Sequence, residues 1–399
     1  MKVNYSLAVL LPSAVLASLL SGCAINDDGD EHVGNNHVSF EEFLASTYQE
    51  PESGVYIVDG DLPFENLDQL REFYDGLNIG QALAVHRSGN SDAKWSNSRK
   101  RNLTYCVSNS FGGNYNTVVY AMANAASDWE FAANVDLVHV ASQDGNCTAS
   151  NNNVVFDVRP VSGVSYLARA FFPNYSRANR NILIATNAIG GYGVWTLTGI
   201  LRHEIGHVLG FRHEHTRPEA KTCYENSSWR ALTSYDSKSV MHYPHCNGRQ
   251  RGDLVITGKD EEGAIALYGA APQHALRAVN GTHHVVAEGG GGGAAKANRP
   301  HIRSWETFHV NHLGNGEYSV RSINGHYLVA EGGGGGAANA NRKAIGPWEK
   351  FRFINVGNGQ IALRTINGRY VVAEGAGGGA LNANRKAIGA WEKFRLIGL

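Results

Sequence analysis

The densest chemistry in this chain lies between His203 and His213, which reads His-Glu-Ile-Gly-His-Val-Leu-Gly-Phe-Arg-His. Four residues apart on a helix, His203 and His207 sit about 40° apart on one face and roughly 6 Å apart along the axis. Two imidazoles so placed can grip one zinc ion. Glu204, one step round from His203, can reach a water on that ion. Gly210 permits the left-handed backbone that ends a helix, and the chain can then turn and bring His213 round as a third ligand. Three protein ligands plus water make an open, catalytic zinc site rather than a closed structural one. Zinc lowers the pKa of such a water to about 7, and Glu204 is the group to accept its proton and pass it to the leaving amine. A helix whose histidines merely pack would need neither Glu204 nor Gly210. Thr196 offers the cap of this helix, and Leu197, Ile200 and Leu201 offer apolar positions to bury it.

A second motif, Ser239-Val240-Met241-His242-Tyr243, begins 26 residues beyond His213. Together the two resemble the metzincin zinc metalloproteases, in which a methionine turn forms an apolar floor under a three-histidine site. Phe211, Glu214, Arg217 and the Met-His-Tyr turn are similar to the astacins and to bacterial metallopeptidases with a His-Glu-Ile-Gly-His signature. The resemblance implies one zinc ion per chain held by His203, His207 and His213, with Glu204 as general base. It further implies Met241 as the floor and Tyr243 as an additional zinc ligand that swings away to stabilise the oxyanion. Where astacins continue with an Asp-Arg pair, this chain has Glu219 and Ala220. The resemblance runs from about Leu103 to Gly269.

The ends of the chain speak to location. Lys2 precedes an apolar run to Leu20, the layout of a signal peptide. The boundary Leu20-Ser21-Gly22-Cys23 resembles a bacterial lipobox, which implies a lipidated Cys23, an exported lipoprotein and, with Ala24 next, the outer membrane or cell surface. Cys23 aside, the five cysteines leave Cys106, Cys147, Cys223 and Cys246. An even number in an exported protein suggests two disulfides. Of three connectivities, Cys106–Cys147 with Cys223–Cys246 is favoured, because the second bond would close the loop between the histidine motif and the methionine turn. A net charge of −1 gives nucleic acid no footprint.

Residues 23–95 read as a tether and propeptide. Val55 to Val58 is strand-like and runs into Asp59-Gly60-Asp61. Astacin propeptides carry a Gly-Asp whose carboxylate occupies the zinc, and the resemblance implies that role for Asp61. Ser98 to Arg101 is a basic stretch that a protease could cut. Residues 96–271 then alternate strand and helix signals: strands at Leu103–Val107, Val154–Val158, Arg169–Pro173 and Asn181–Ile184, and helices over Val118–Ala133 and Asp260–Tyr268. From residue 272 the composition changes. Trp305, Trp348 and Trp391 recur every 43 residues, as do Glu288, Glu331 and Glu374, and Phe308, Phe351 and Phe394. Three β-rich repeats with glycine-tract turns suit a three-fold β-trefoil, and they are similar to fascin-type repeats.

The sequence therefore predicts an α+β metzincin-type zinc protease domain followed by an all-β trefoil domain. The expected function is a lipid-anchored, exported endopeptidase made as a zymogen. Its expected partners are protein or peptide substrates, the lipid membrane through Cys23, and a surface carbohydrate at the trefoil. The rival reading is a surface adhesin or carbohydrate-binding protein whose protease domain is vestigial.

Overall fold

The computed structural model describes residues 39–399 except 59, 76–83, 90, 224, 226, 227 and 280. The signal-like run and Cys23 lie outside the described residues. The described N-terminal segment opens with helix α1 (Phe40–Ser46), started by a capping box between Ser39 and Glu42. Strands β1 (Tyr48–Gln49), β2 (Tyr56–Val58) and β3 (Leu62–Phe64) follow as one antiparallel sheet, then helix α2 (Leu67–Asp75). Phe40, Phe43, Leu62, Phe64, Leu70 and Phe73 are buried in the same hydrophobic core as the middle of the chain. Burial of this size holds the segment down.

β4 (Ala84–Ser88) and β5 (Ser91–Asp92) belong elsewhere. β4 pairs with β11 (Trp229–Ala231), and Arg212 N–H donates to Ala84 O. The basic stretch is tied down as well, since Lys100 Nζ donates to Tyr268 O and Arg101 pairs with Asp136.

The middle of the chain is built on a five-stranded sheet in the order β7-β6-β8-β10-β9. Its strands are β6 (Leu103–Val107), β7 (Leu137–His139), β8 (Phe156–Val161), β9 (Ala168–Arg169) and β10 (Asn181–Ala185). All pairings are parallel except β9 with β10. The long helix α3 (Tyr115–Ala132) makes the crossover that lets β7 run parallel to β6. The strand expected from Arg169 to Pro173 stops at Arg169; Phe171 and Phe172 instead lie fully buried in the core. Helix α4 (Leu197–Val208) crosses α3, and α5 (Gly258–Tyr268) closes this region. Disulfides join Cys106 to Cys147 and Cys223 to Cys246, the favoured pairing.

Strands β12 (His274–Ala278) to β23 (Phe394–Gly398) form an all-β unit. Six of them close a ring. β12 pairs with β15 (Phe308–Gly314) and with β23. β16 (Glu317–Ser322) pairs with β15 and β19 (Phe351–Gly357), and β20 (Gln360–Arg364) pairs with β19 and β23. Three hairpins cap the ring: β13 (His284–Ala287) with β14 (Gly293–Arg299), β17 (Tyr327–Ala330) with β18 (Ala338–Arg342), and β21 (Tyr370–Ala373) with β22 (Leu381–Arg385). A six-stranded barrel with three cap hairpins is a β-trefoil. The repeated residues divide the labour. Phe308, Phe351 and Phe394 fill its core, whereas Trp305, Trp348 and Trp391 are 43%, 41% and 42% exposed. The glycine tracts are turns: Gly291 has φ +122°, and a Cβ there would press on Ser322 and His326. No helix among the described residues is long and apolar enough to cross a membrane.

Candidate metal centre

Helix α4 is held at both ends. The Thr196 hydroxyl accepts from Gly199 N–H, and Asp253 accepts from Thr196 N–H and from its hydroxyl. At the other end Gly210 takes φ +95°, and a Cβ there would strike Ala93 O. Two constraints thus demand glycine at one position. The chain then reverses and returns His213 to the helix.

Each of the three imidazoles is fixed from behind. His203 Nδ1 donates to Val240 O and His207 Nδ1 to Phe211 O, both at 2.8 Å; His213 Nδ1 donates to Glu225 Oε1 at 2.5 Å. With Nδ1 carrying the proton, each Nε2 lone pair faces inward. His213 Nε2 lies 3.2 Å from both His203 Nε2 and His207 Nε2. Asp61 closes the cluster: Oδ1 is 3.0 Å from His213 Nε2, and Oδ2 is 3.3 Å from His203 Nε2 and 4.0 Å from His207 Nε2. All four side chains are buried.

Three lone pairs and a carboxylate buried against one another need a positive charge among them. The donor set is also the right one. Zinc takes histidine and aspartate in tetrahedral sites with bonds of about 2.0–2.2 Å, which separates its ligand atoms by roughly 3.3–3.5 Å. The residues therefore fit a zinc ion. Asp61 reaches the centre from the tip of the β2–β3 hairpin, whose last pair is Val58 with Leu62. Gly60 takes φ +96°, and a Cβ there would touch the Tyr243 hydroxyl.

Glu204 is 2% exposed, and its Oε2 has no hydrogen-bond partner among the described residues. Burial, then the charge of Asp61, raises its carboxyl well above the usual range. Burial alone would raise Asp61 too, but His213 and His203 overturn this and hold it well below that range. Two adjacent carboxyls with opposed affinities can divide the work of ligand and proton carrier.

Met241 lies beneath α4, its sulfur in the space that a Cβ at Gly206 would need. Tyr243 stacks beside the cluster, with ring centroids 5.4 Å from His203 and 4.6 Å from His213. Glu214 is buried and bonded to Arg217 and to Asp236 N–H; burial pushes its carboxyl up to about 8.

Several residues here escaped the sequence reading. Glu225 and His215 are fully enclosed behind His213. Arg169 holds Glu50 of the N-terminal segment through two bonds of 2.6 Å, and Tyr166 donates to the same carboxylate. Only His215 carried a local signal, as the second histidine of His213-Glu214-His215.

Comparison with known proteins agrees with part of this. No family model matches the chain. Tolloid-like protein 1 of Homo sapiens is 27% identical over 175 residues, covering 38% of this chain and 15% of that protein. A bone morphogenetic protein 1 homolog of Strongylocentrotus purpuratus is 34% identical over 89 residues, covering 17% of this chain and 14% of that protein. The chain thus spans about a seventh of the length of these relatives, and the similarity to the astacin-type tolloid proteins is partial. Among solved structures, a designed 3-fold symmetric protein, ThreeFoil, matches 32% of this chain and 99% of its own length, at 20% identity and a TM-score of 0.29. SeviL, solved bound to asialo-GM1 saccharide, matches 32% of this chain and 96% of its own length, at 13% identity and a TM-score of 0.27.

Proposed function

We propose that this protein is a zinc-dependent endopeptidase whose N-terminal segment holds it latent. His203, His207 and His213 would bind zinc, with Asp61 in the fourth position until the segment leaves. Zinc held there supplies a Lewis acid that activates water and polarises the scissile carbonyl. Glu204, next to His203 and with one carboxylate oxygen unpartnered among the described residues, takes the proton of the attacking water and hands it to the leaving amine. Tyr243, placed beside His203 and His213, donates its hydroxyl to the developing oxyanion once Asp61 and Gly60 have gone. Met241 and Gly206 fix the height of the helix above the methionine turn.

The observation that carries this reading is the convergence of three inward Nε2 atoms on the Asp61 carboxylate, with Glu204 Oε2 unpartnered among the described residues. The partial likeness to tolloid-type proteins supports a metalloprotease. We further propose export and anchoring through a lipidated Cys23, supported by the Leu20 to Cys23 boundary and by two disulfides suited to an oxidising compartment. The trefoil would bind a surface carbohydrate through the exposed Trp305, Trp348 and Trp391, since indole faces suit sugar rings.

Glu204→Gln tests the mechanism. The variant should keep its zinc, because Glu204 is not a ligand, and lose about 10²–10⁴-fold in peptide cleavage. Cleavage near the wild-type rate would remove Glu204 from the mechanism. The three exposed tryptophans also favour the adhesin reading. A zinc-loaded Asp61→Ala chain that binds polysaccharide and cuts no peptide would establish it.

A further inference from the structure

Three basic side chains close on one carboxylate behind the metal centre. Glu225 Oε2 accepts from Arg212 Nε at 3.0 Å and also from its Nη2; Oε1 accepts from His213 Nδ1 and lies 3.5 Å from His215 Nε2. All four side chains are buried. His215 in turn accepts the Tyr243 backbone N–H at its Nδ1, 3.3 Å away, and its ring stacks on both His213 and Tyr243. The positive charge beside Glu225 is already supplied by Arg212, and Glu225 faces the Nδ1 edge of His213. It is therefore no fourth ligand.

Its setting has a covalent frame. Glu225 lies two residues after Cys223, and the bonded Cys246 lies three after Tyr243. The disulfide thus ties the loop bearing this carboxylate to the turn bearing the tyrosine. The other two histidines rest on backbone carbonyls, so a carboxylate behind His213 alone makes the third ligand the most electron-rich.

We propose that Glu225 is the positioning residue of this centre: it fixes the third ligand, His213, directly, and the Tyr243 turn through His215. This rests on the proposed zinc-peptidase reading. A carboxylate on the far nitrogen of a histidine locks its tautomer and ring angle and strengthens its grip on the metal, an effect usually worth about 10–100-fold in affinity. A structural role alone, neutralising buried Arg212, would leave zinc affinity untouched once the fold is intact.

The test is chelator competition for zinc on the full chain, wild type against Glu225→Gln and against Glu225→Gln with Arg212→Met. The double variant removes the buried pair together, so no unpaired charge threatens the fold. Circular dichroism of the metal-stripped proteins establishes that they fold. Zinc affinity should fall about 10–100-fold in both variants, and kcat for a peptide, measured at saturating zinc in an Asp61→Ala background, should fall more than KM changes. Affinity within twofold of wild type in a folded variant overturns the proposal. Should neither variant fold, the zinc-loaded wild type decides by NMR. A low-field proton on His213 Nδ1, assigned by selective ¹⁵N-histidine labelling, supports the carboxylate bond, and its absence overturns it. If wild type itself binds no zinc, both this inference and the peptidase reading fall; if it binds and cuts while Glu225→Gln binds equally well, only this inference falls.

Discussion

Two appended regions grip the central α/β body, and they do so in opposite ways. The N-terminal segment goes in. Its hairpin tip puts Asp61 among the three histidines, and behind the tip Glu50 is clamped by Arg169 and Tyr166, both partners enclosed. Tyr175 donates to Pro63 O, and Glu65 accepts from Ser176 and Asn179. The trefoil stays on the outside, along one face of α3. Ser127 accepts from Asn311 and Tyr327, Asn124 exchanges hydrogen bonds with the Ile345 backbone, and Phe131 packs under His309 and Arg321. A chain of ion pairs links the trefoil to helix α4 at one remove. Asp128 pairs with Arg321 of the trefoil and with Arg202, the residue before His203. A segment that occupies a site can silence it, whereas one that braces the scaffold can only steady it.

The largest expected effect tests the inward grip. Asp61→Ala in the full-length chain should raise cleavage of a fluorogenic peptide about 50-fold, the gain from moving an open population of roughly 1% to half. Equal rates for the two proteins would mean that the segment is a stalk or folding aid.

Next comes the clamp behind the tip. Glu50→Gln leaves buried Arg169 without its carboxylate and should raise the rate about tenfold, less than Asp61→Ala because the tip stays in place. The same ion pair predicts a pH response. Burial raises the Glu50 carboxyl, but Arg169 more than offsets this and the docked carboxyl ends below its ordinary value. Its contribution to docking is therefore complete above the ordinary glutamate pKa of about 4.3–4.5 and is lost as pH falls through the lower docked value. Limited proteolysis of residues 39–75 should accelerate below about pH 4 in wild type. Glu50→Gln should be cut readily at all pH values, and identical pH profiles for the two would exclude the clamp as the sensor.

The outward grip predicts less. Arg321→Met cuts the link to Asp128 while Arg202 still holds that carboxylate. Stability should drop by about 1–3 kcal/mol, read as a lowered Tm, with peptide cleavage by the Asp61→Ala chain unchanged within about threefold. A fall of rate as steep as that of Glu204→Gln would make the trefoil part of the catalytic apparatus. Smallest of all, Trp391→Ala should leave both Tm and peptide cleavage as they are and reduce retention on polysaccharide, two of the three exposed indoles remaining.

How much of this could be read from the sequence depends on distance along the chain. The three clustered histidines and Glu204 were legible because one helix and one turn carry them: residues three to four apart must meet on a helix, and Gly210 marks where it must stop. The trefoil was legible because a 43-residue period repeats every packing decision three times, so that Phe308, Phe351 and Phe394 announce one core position. Asp61 was legible only through resemblance, since nothing local says that a hairpin tip will enter a cleft formed more than a hundred residues later.

What only the tertiary structure decided is which charges face one another. Glu50 and Arg169 are 119 residues apart in sequence. Glu225 lies 12 residues beyond His213, in no motif, yet it comes to rest on that ring's far nitrogen. Gly206 looks interchangeable with alanine on a helix until Met241 is packed beneath it. The physical reason is common to all three. Periodicity encodes which face of an element is buried, but a buried charge or a missing methyl takes its meaning from the one group that arrives opposite it, and that arrival is settled by packing of the whole chain.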